Sequence, residues 1–104
     1  MNHYIIRTDE NFAMKKGTAS ASAGIDRYTE SFYEKFNRNE ADDQSALRFR
    51  VPFDRVYAEA MAIPNVRKLH NLCCADYVER LANSRGEAAE DDPRWQHHMR
   101  ASAL

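Results

Sequence analysis

Glycine, cysteine and long apolar runs are scarce in this chain, and each scarcity excludes something. Gly17, Gly24 and Gly86 stand alone. Neither GxGxxG nor GxxxxGK[ST] can be assembled around them, which removes the two commonest nucleotide-binding loops. The only cysteines, Cys73 and Cys74, are neighbours. On a helix, successive side chains diverge by about 100°, so an ordinary disulfide between them is excluded, and no further cysteine completes a thiolate metal set. No window approaches the roughly 18 apolar residues of a membrane span. The opening Met1-Asn2-His3-Tyr4 lacks the basic-then-apolar pattern of a secretory leader, so a cytoplasmic location is expected, with no membrane partner.

An excess of one charge is missing too. Fifteen basic and sixteen acidic residues give a formal net charge of −1, which disfavours both a basic nucleic-acid glove and an acidic DNA mimic as whole-chain descriptions. The 104 residues suffice for one hydrophobic core with little surface left for a deep substrate cleft. One globular domain over residues 1–86 is expected, followed by an acidic linker and a short C-terminal helix over 87–104, docked or free.

Residues 4–8 (YIIRT) are β-branched and aromatic, as a strand requires. Residues 15–24 are small, polar and bounded by glycine, the composition of a surface loop. Ile25, Tyr28, Phe32, Tyr33 and Phe36 then recur at helical spacing and predict an amphipathic helix over 25–36. Leu47, Phe49 and Val51 alternate with Arg48 and Arg50, the pattern of a half-buried second strand. Pro52 ends that strand and opens a helix carrying Phe53, Val56, Tyr57, Ala60 and Met61. After Pro64, a long central helix over 65–85 closes at Gly86 as a left-handed C-cap, with Val66, Leu69, Cys73, Tyr77 and Leu81 on one face and Leu72 and Val78 pointing elsewhere, so that cover on more than one side is expected. Asp92 caps a last helix that starts at Pro93 and carries Trp95 and Met99. The expected fold is therefore α+β and mainly helical, with three or four helices and a two-stranded element pairing residues 4–8 with 47–51; an all-α domain is the alternative.

No constellation in the sequence specifies chemistry, so no catalytic residue, cofactor or metal is expected. His70, near the middle of the central helix, could serve as a general base, although a boundary histidine held by one hydrogen bond is the simpler reading. His97 and His98, preceded by Asp91 and Asp92, are the best metal candidates, but adjacent helical histidines point apart, whereas zinc motifs place them at i and i+4. Carboxylate pairs in polar segments lack the apolar neighbours that would raise a pKa for acid/base work.

Arginine is the unusual component, eleven against four lysines. On a strand, Arg48 and Arg50 would share a face, with Arg55 just beyond it, and arginine's planar fork suits carboxylates and phosphates alike. Trp95 beside Asp91 and Asp92 forms a second potential anchor. These six residues are the expected contact sites of a small non-enzymatic protein that binds another macromolecule, a protein or ribonucleoprotein complex, and blocks it sterically. Phage inhibitors of host defence such as anti-CRISPR proteins, and immunity proteins, are small proteins of that class. Two alternatives stand beside this one: a nucleic-acid-binding regulator using the two central helices as a helix-turn-helix-like pair, and a small enzyme using His70. The aromatic stripes would also serve a homodimer.

Overall fold

A computed structural model describes residues 6–19, 21–22, 24–38 and 40–104. The chain divides into two compact units, Met1–Ala41 and Asp42–Leu104.

In the first unit, helix α1 (Asp9–Lys15) is capped by Thr8, whose hydroxyl accepts from Asn11 N at 3.1 Å. Asp9 and Glu10 lie in its first turn, where carboxylates favour the helix dipole. Helix α2 (Glu30–Phe36) is capped in the same way by Thr29. It begins five residues later than the apolar spacing predicts. The carboxylate of Asp26 accepts from Gly17 N at 2.7 Å and from Tyr28 N at 2.8 Å; this side-chain turn competes with helix and leaves Ile25 exposed. The aromatic seam is real but organised by a residue outside it. Buried Phe12, from α1, packs against Tyr28, Phe32 and Tyr33 with ring centroids 6.0, 6.3 and 5.0 Å away. The Tyr33 hydroxyl donates to Asp9 Oδ1 at 2.6 Å, which ties the two helices together and raises the phenol's pKa.

In the second unit, a 3-10 turn (Ser45–Phe49) runs directly into α3 (Arg50–Ala62). Ile63 is extended and Asn65 adopts a left-handed φ of 69°, which redirects the chain into α4 (Val66–Arg85). Gly86 closes α4 at φ 71°, with its own N–H and that of Glu87 returned to the Asn83 and Ala82 carbonyls. A short 3-10 turn (Ala89–Asp91) leads to α5 (Pro93–Ser102), whose cap is Asp92. Helix α5 lies along α4, whereas α3 meets α4 over a small area.

The expected two-stranded β element is absent: the described residues form helices and turns, with a single isolated bridge between Ala19 and Asp26, so the all-α alternative is the fold. Tyr4 and Ile5 of the first expected strand lie outside the described residues, and Ile6 to Thr8 have no regular structure. In the second expected strand, Leu47 to Phe49 form the 3-10 turn, while Arg50 and Val51 already belong to α3. Five alternating residues are too few to choose strand over helix without an edge to pair with. Pro52, in the first turn of α3, lacks only an N–H that has no helical partner and presets φ for the helix.

The core of the second unit is built on a face of α4 other than the Val66–Leu81 stripe, the side to which Val78 points. Asn71, Ala75, Val78, Leu81 and Ala82 are its buried residues, spaced for one face and small enough to let α5 approach closely. Of the Val66, Leu69, Cys73, Tyr77 and Leu81 stripe, Leu81 alone is buried; Val66 is half-buried, and Leu69, Cys73 and Tyr77 are exposed.

Candidate protein-binding surface

The exposed apolar surface begins at the 3-10 turn. Leu47, Phe49 and Val51 are 59%, 57% and 80% exposed. Removing such side chains from water is worth roughly 25 cal/mol per Å2. The guanidinium of Arg48 lies 4.6 Å from the Phe49 ring centroid, a cation–π contact that holds both groups on the same surface. Along α3, Phe53 and Val56 remain 60% and 55% exposed, and the helix contains no buried residue. On α4, Leu69 is 58% exposed, beside exposed Leu72 and Cys73.

Helical geometry rearranges the expected arginine face. Arg50 and Arg55 are five positions apart on α3, about 140° around the axis, so they do not face one way. Each is engaged within its helix: Arg50 Nε donates to Asp54 at 2.8 Å, and Arg55 Nε lies 4.0 Å from Glu59. Exposed pairs of this kind contribute little stability but neutralise the local field. Arg48 stays with the apolar turn.

At the other candidate anchor, Asp92 acts as a cap. It accepts from Arg94 N at 2.8 Å and from the Arg94 guanidinium at 2.8 Å, while Arg85 lies at 3.9 Å. The hydrogen bonds from Arg94, with the charges of Arg94 and Arg85, hold its pKa at about 2. Asp91 ends the preceding turn and is exposed; Trp95 is half-buried on α5.

His70 lies where α3 meets α4. Its Nε2 is 3.3 Å from the Tyr57 hydroxyl and 3.7 Å from Cys74 Sγ, and the Tyr57 ring stands edge-on to the imidazole. The cluster joins two helices in a manner that a boundary histidine would.

A second histidine contact was not foreseen. Asn71, buried on α4, donates through Nδ2 to the Arg67 carbonyl at 2.9 Å, which turns its Oδ1 toward α5. His98 Nδ1 lies 3.0 Å from that oxygen and must be the donor. Burial, followed by the charges of His97 and His70, lowers the pKa of His98. The signal in the sequence was the spacing of Asn71 with Ala75, Val78 and Ala82, a stripe of small residues easily passed over beside larger ones.

Among the described residues, no three His, Cys, Asp or Glu side chains converge as a metal site, and no helix is long and apolar enough to cross a membrane. Comparison of the chain with known families, with characterised proteins and with solved structures gives no match.

Proposed function

We propose that this chain is a non-enzymatic protein-binding protein that acts by sterically blocking a protein or ribonucleoprotein partner. The observation that supports this reading is the turn carrying Leu47, Arg48, Phe49 and Val51, apolar side chains exposed around an arginine. An apolar centre with arginine at its edge is the composition of an interface hot spot, and it fits a partner pocket lined by apolar groups and rimmed by carboxylates. Phage-borne inhibitors of host defence and immunity proteins are the forms of steric blocker that suit a chain of this size. The near-zero charge and the pairing of Arg50 and Arg55 within α3 weigh against phosphate as the main ligand.

The test is affinity capture from the native host with wild type and with the Arg48→Ala/Phe49→Ala double variant, each with and without nuclease. A protein complex retained in both nuclease arms by wild type, and lost by the variant, is the expected result. Capture that disappears with nuclease would replace this reading with the nucleic-acid one.

A further inference from the structure

We propose that His70, Cys74 and Tyr57, where α4 meets α3, form a binding site for one divalent metal ion of the zinc class. The site stands apart from the proposed blocking surface, because no residue of the turn before α3 takes part in it.

His70 and Cys74 stand four positions apart on α4, one above the other on the same face, the spacing at which two ligands on a helix reach one metal ion. The pair is easily passed over in the sequence because its two ligands differ in kind. Cys73 is turned about 100° away and is exposed. From α3, the Tyr57 hydroxyl reaches the same imidazole nitrogen that Cys74 approaches. Zinc bonds of about 2.0–2.1 Å to nitrogen, about 2.3 Å to sulfur and about 2.0–2.2 Å to oxygen, at tetrahedral angles, hold N and S about 3.6 Å apart and N and O about 3.4 Å apart. In the folded chain His70 Nε2 lies 3.7 Å from Cys74 Sγ and 3.3 Å from Tyr57 Oη, so two edges of such a tetrahedron are in place without rearrangement. The third donor is a phenol, so the cluster is not a triad of His, Cys, Asp or Glu side chains, of which the described residues hold none.

The protons at this cluster point the same way. A neutral imidazole offers one lone pair at Nε2, and two proton donors, the phenol and the thiol, converge on it. One of them is left without a full hydrogen bond. A cation removes that excess: the thiol proton leaves for solvent as a thiolate–metal bond forms, the Nε2 lone pair makes the second bond, the phenol oxygen makes the third and weakest, and water completes the four. Thiolate with imidazole selects zinc and its neighbours over magnesium or calcium, which take oxygen ligands. His70 and Cys74 are half-buried and Tyr57 is exposed, which leaves the ion a path in. His97 and His98 offer no equivalent chelate, being adjacent on α5 with His98 Nδ1 engaged by Asn71. The bound ion ties α3, which has no buried residue, to α4, and so supplies across that junction what packing does not.

Titration of the reduced full chain with cobalt(II) alone is expected to give the near-ultraviolet charge-transfer band of a cobalt–thiolate bond and the visible bands of a tetrahedral site, saturating at one ion per chain; zinc(II) should bleach both. Cys74→Ser should abolish the charge-transfer band. His70→Gln should weaken binding at least about tenfold, the lower end of what disturbing a metal's surroundings costs in affinity, and Tyr57→Phe by a smaller factor. Cys73→Ser and His97→Gln should leave band and affinity unchanged, and zinc should raise the Tm of the wild type but not that of Cys74→Ser. A wild-type chain that shows no cobalt–thiolate band overturns the proposal whatever the variants do. So does a band that survives Cys74→Ser, one that Cys73→Ser removes, or one that saturates at one ion per pair of chains, which marks exposed thiols of two chains bridged by the metal. Should circular dichroism show Cys74→Ser unfolded, Cys73→Ser and His70→Gln decide: affinity lost in the second alone supports the site, and equal affinity in the two removes it.

Discussion

Helix α4 has two apolar faces that solve opposite problems. One is built of small side chains, Ala75, Val78 and Ala82, and α5 lies close against it, with Leu81 at its edge and the Asn71–His98 hydrogen bond across the joint. The other carries Leu69, Leu72 and Cys73, larger on average and left in water. Size therefore does not predict burial here. Small residues bury because they permit a helix to approach, and the lost side-chain area is recovered as backbone-to-backbone packing. Large residues on the opposite face stay exposed because neither α3 nor α5 lies over them, and an uncovered apolar face of this kind is a candidate binding surface.

The strongest way to break this comparison is to alter the covered face. Leu81→Ala should cost about 3 kcal/mol in denaturant unfolding, the range for truncating a buried leucine. Ala82→Leu should cost about 2 kcal/mol by overpacking the α4–α5 joint. Both losses should be independent of protein concentration. If Ala82→Leu is neutral, the two helices are not in close contact and the contrast between the faces fails.

A smaller effect is expected from the polar joint. Asn71→Ala leaves the His98 donor without its acceptor and should cost about 1–2 kcal/mol. The joint also makes the unit sensitive to pH. Because His98 titrates below the ordinary 6.5 in the folded chain, the folded state binds fewer protons than the unfolded one just below that value. Stability from this group is therefore complete above pH 6.5 and declines as pH falls through the lowered folded value. Replacing His98 by Gln should flatten this part of the stability profile; an unchanged slope would assign the dependence elsewhere.

The smallest effect belongs to the helix cap. Asp92→Ala should lower stability slightly at neutral pH, because the N-cap of α5 is lost. The folded pKa of about 2 against the ordinary 3.8 means that the cap's contribution is present above about pH 4 and is lost between there and about pH 2. Circular dichroism in that acid window should show a transition in wild type that is absent from Asp92→Asn.

The sequence made the punctuation of the second unit legible. Gly86 as a left-handed cap, Asp92 as an N-cap and prolines in first turns each follow from local chemistry and need no tertiary information. The segment before α3 differs from the expected strand because alternation over Leu47, Phe49 and Val51 is equally available to a turn of exposed side chains, and no pairing edge among the described residues selects a strand. The helix around Phe12 was missed because one buried aromatic in a short polar segment leaves no periodicity. The exposed residues Leu69, Leu72 and Cys73 stand at helical spacing in the sequence, but large side chains at that spacing suggest core, and only the position of α5 reveals which face is covered. The expected pairing of Arg48 with Arg50 on one strand face is removed by the fold: Arg48 shares a surface with Phe49 through a cation–π contact.

Hydrogen–deuterium exchange read helix by helix tests the central contrast most directly. Amides of α4 facing α5, and those of α5, should be protected, whereas those of α3, which has no buried residue, should exchange rapidly. Protection of α3 equal to that of α4 would mean that the helix is covered in solution, and would contradict the contrast between a covered and an open face.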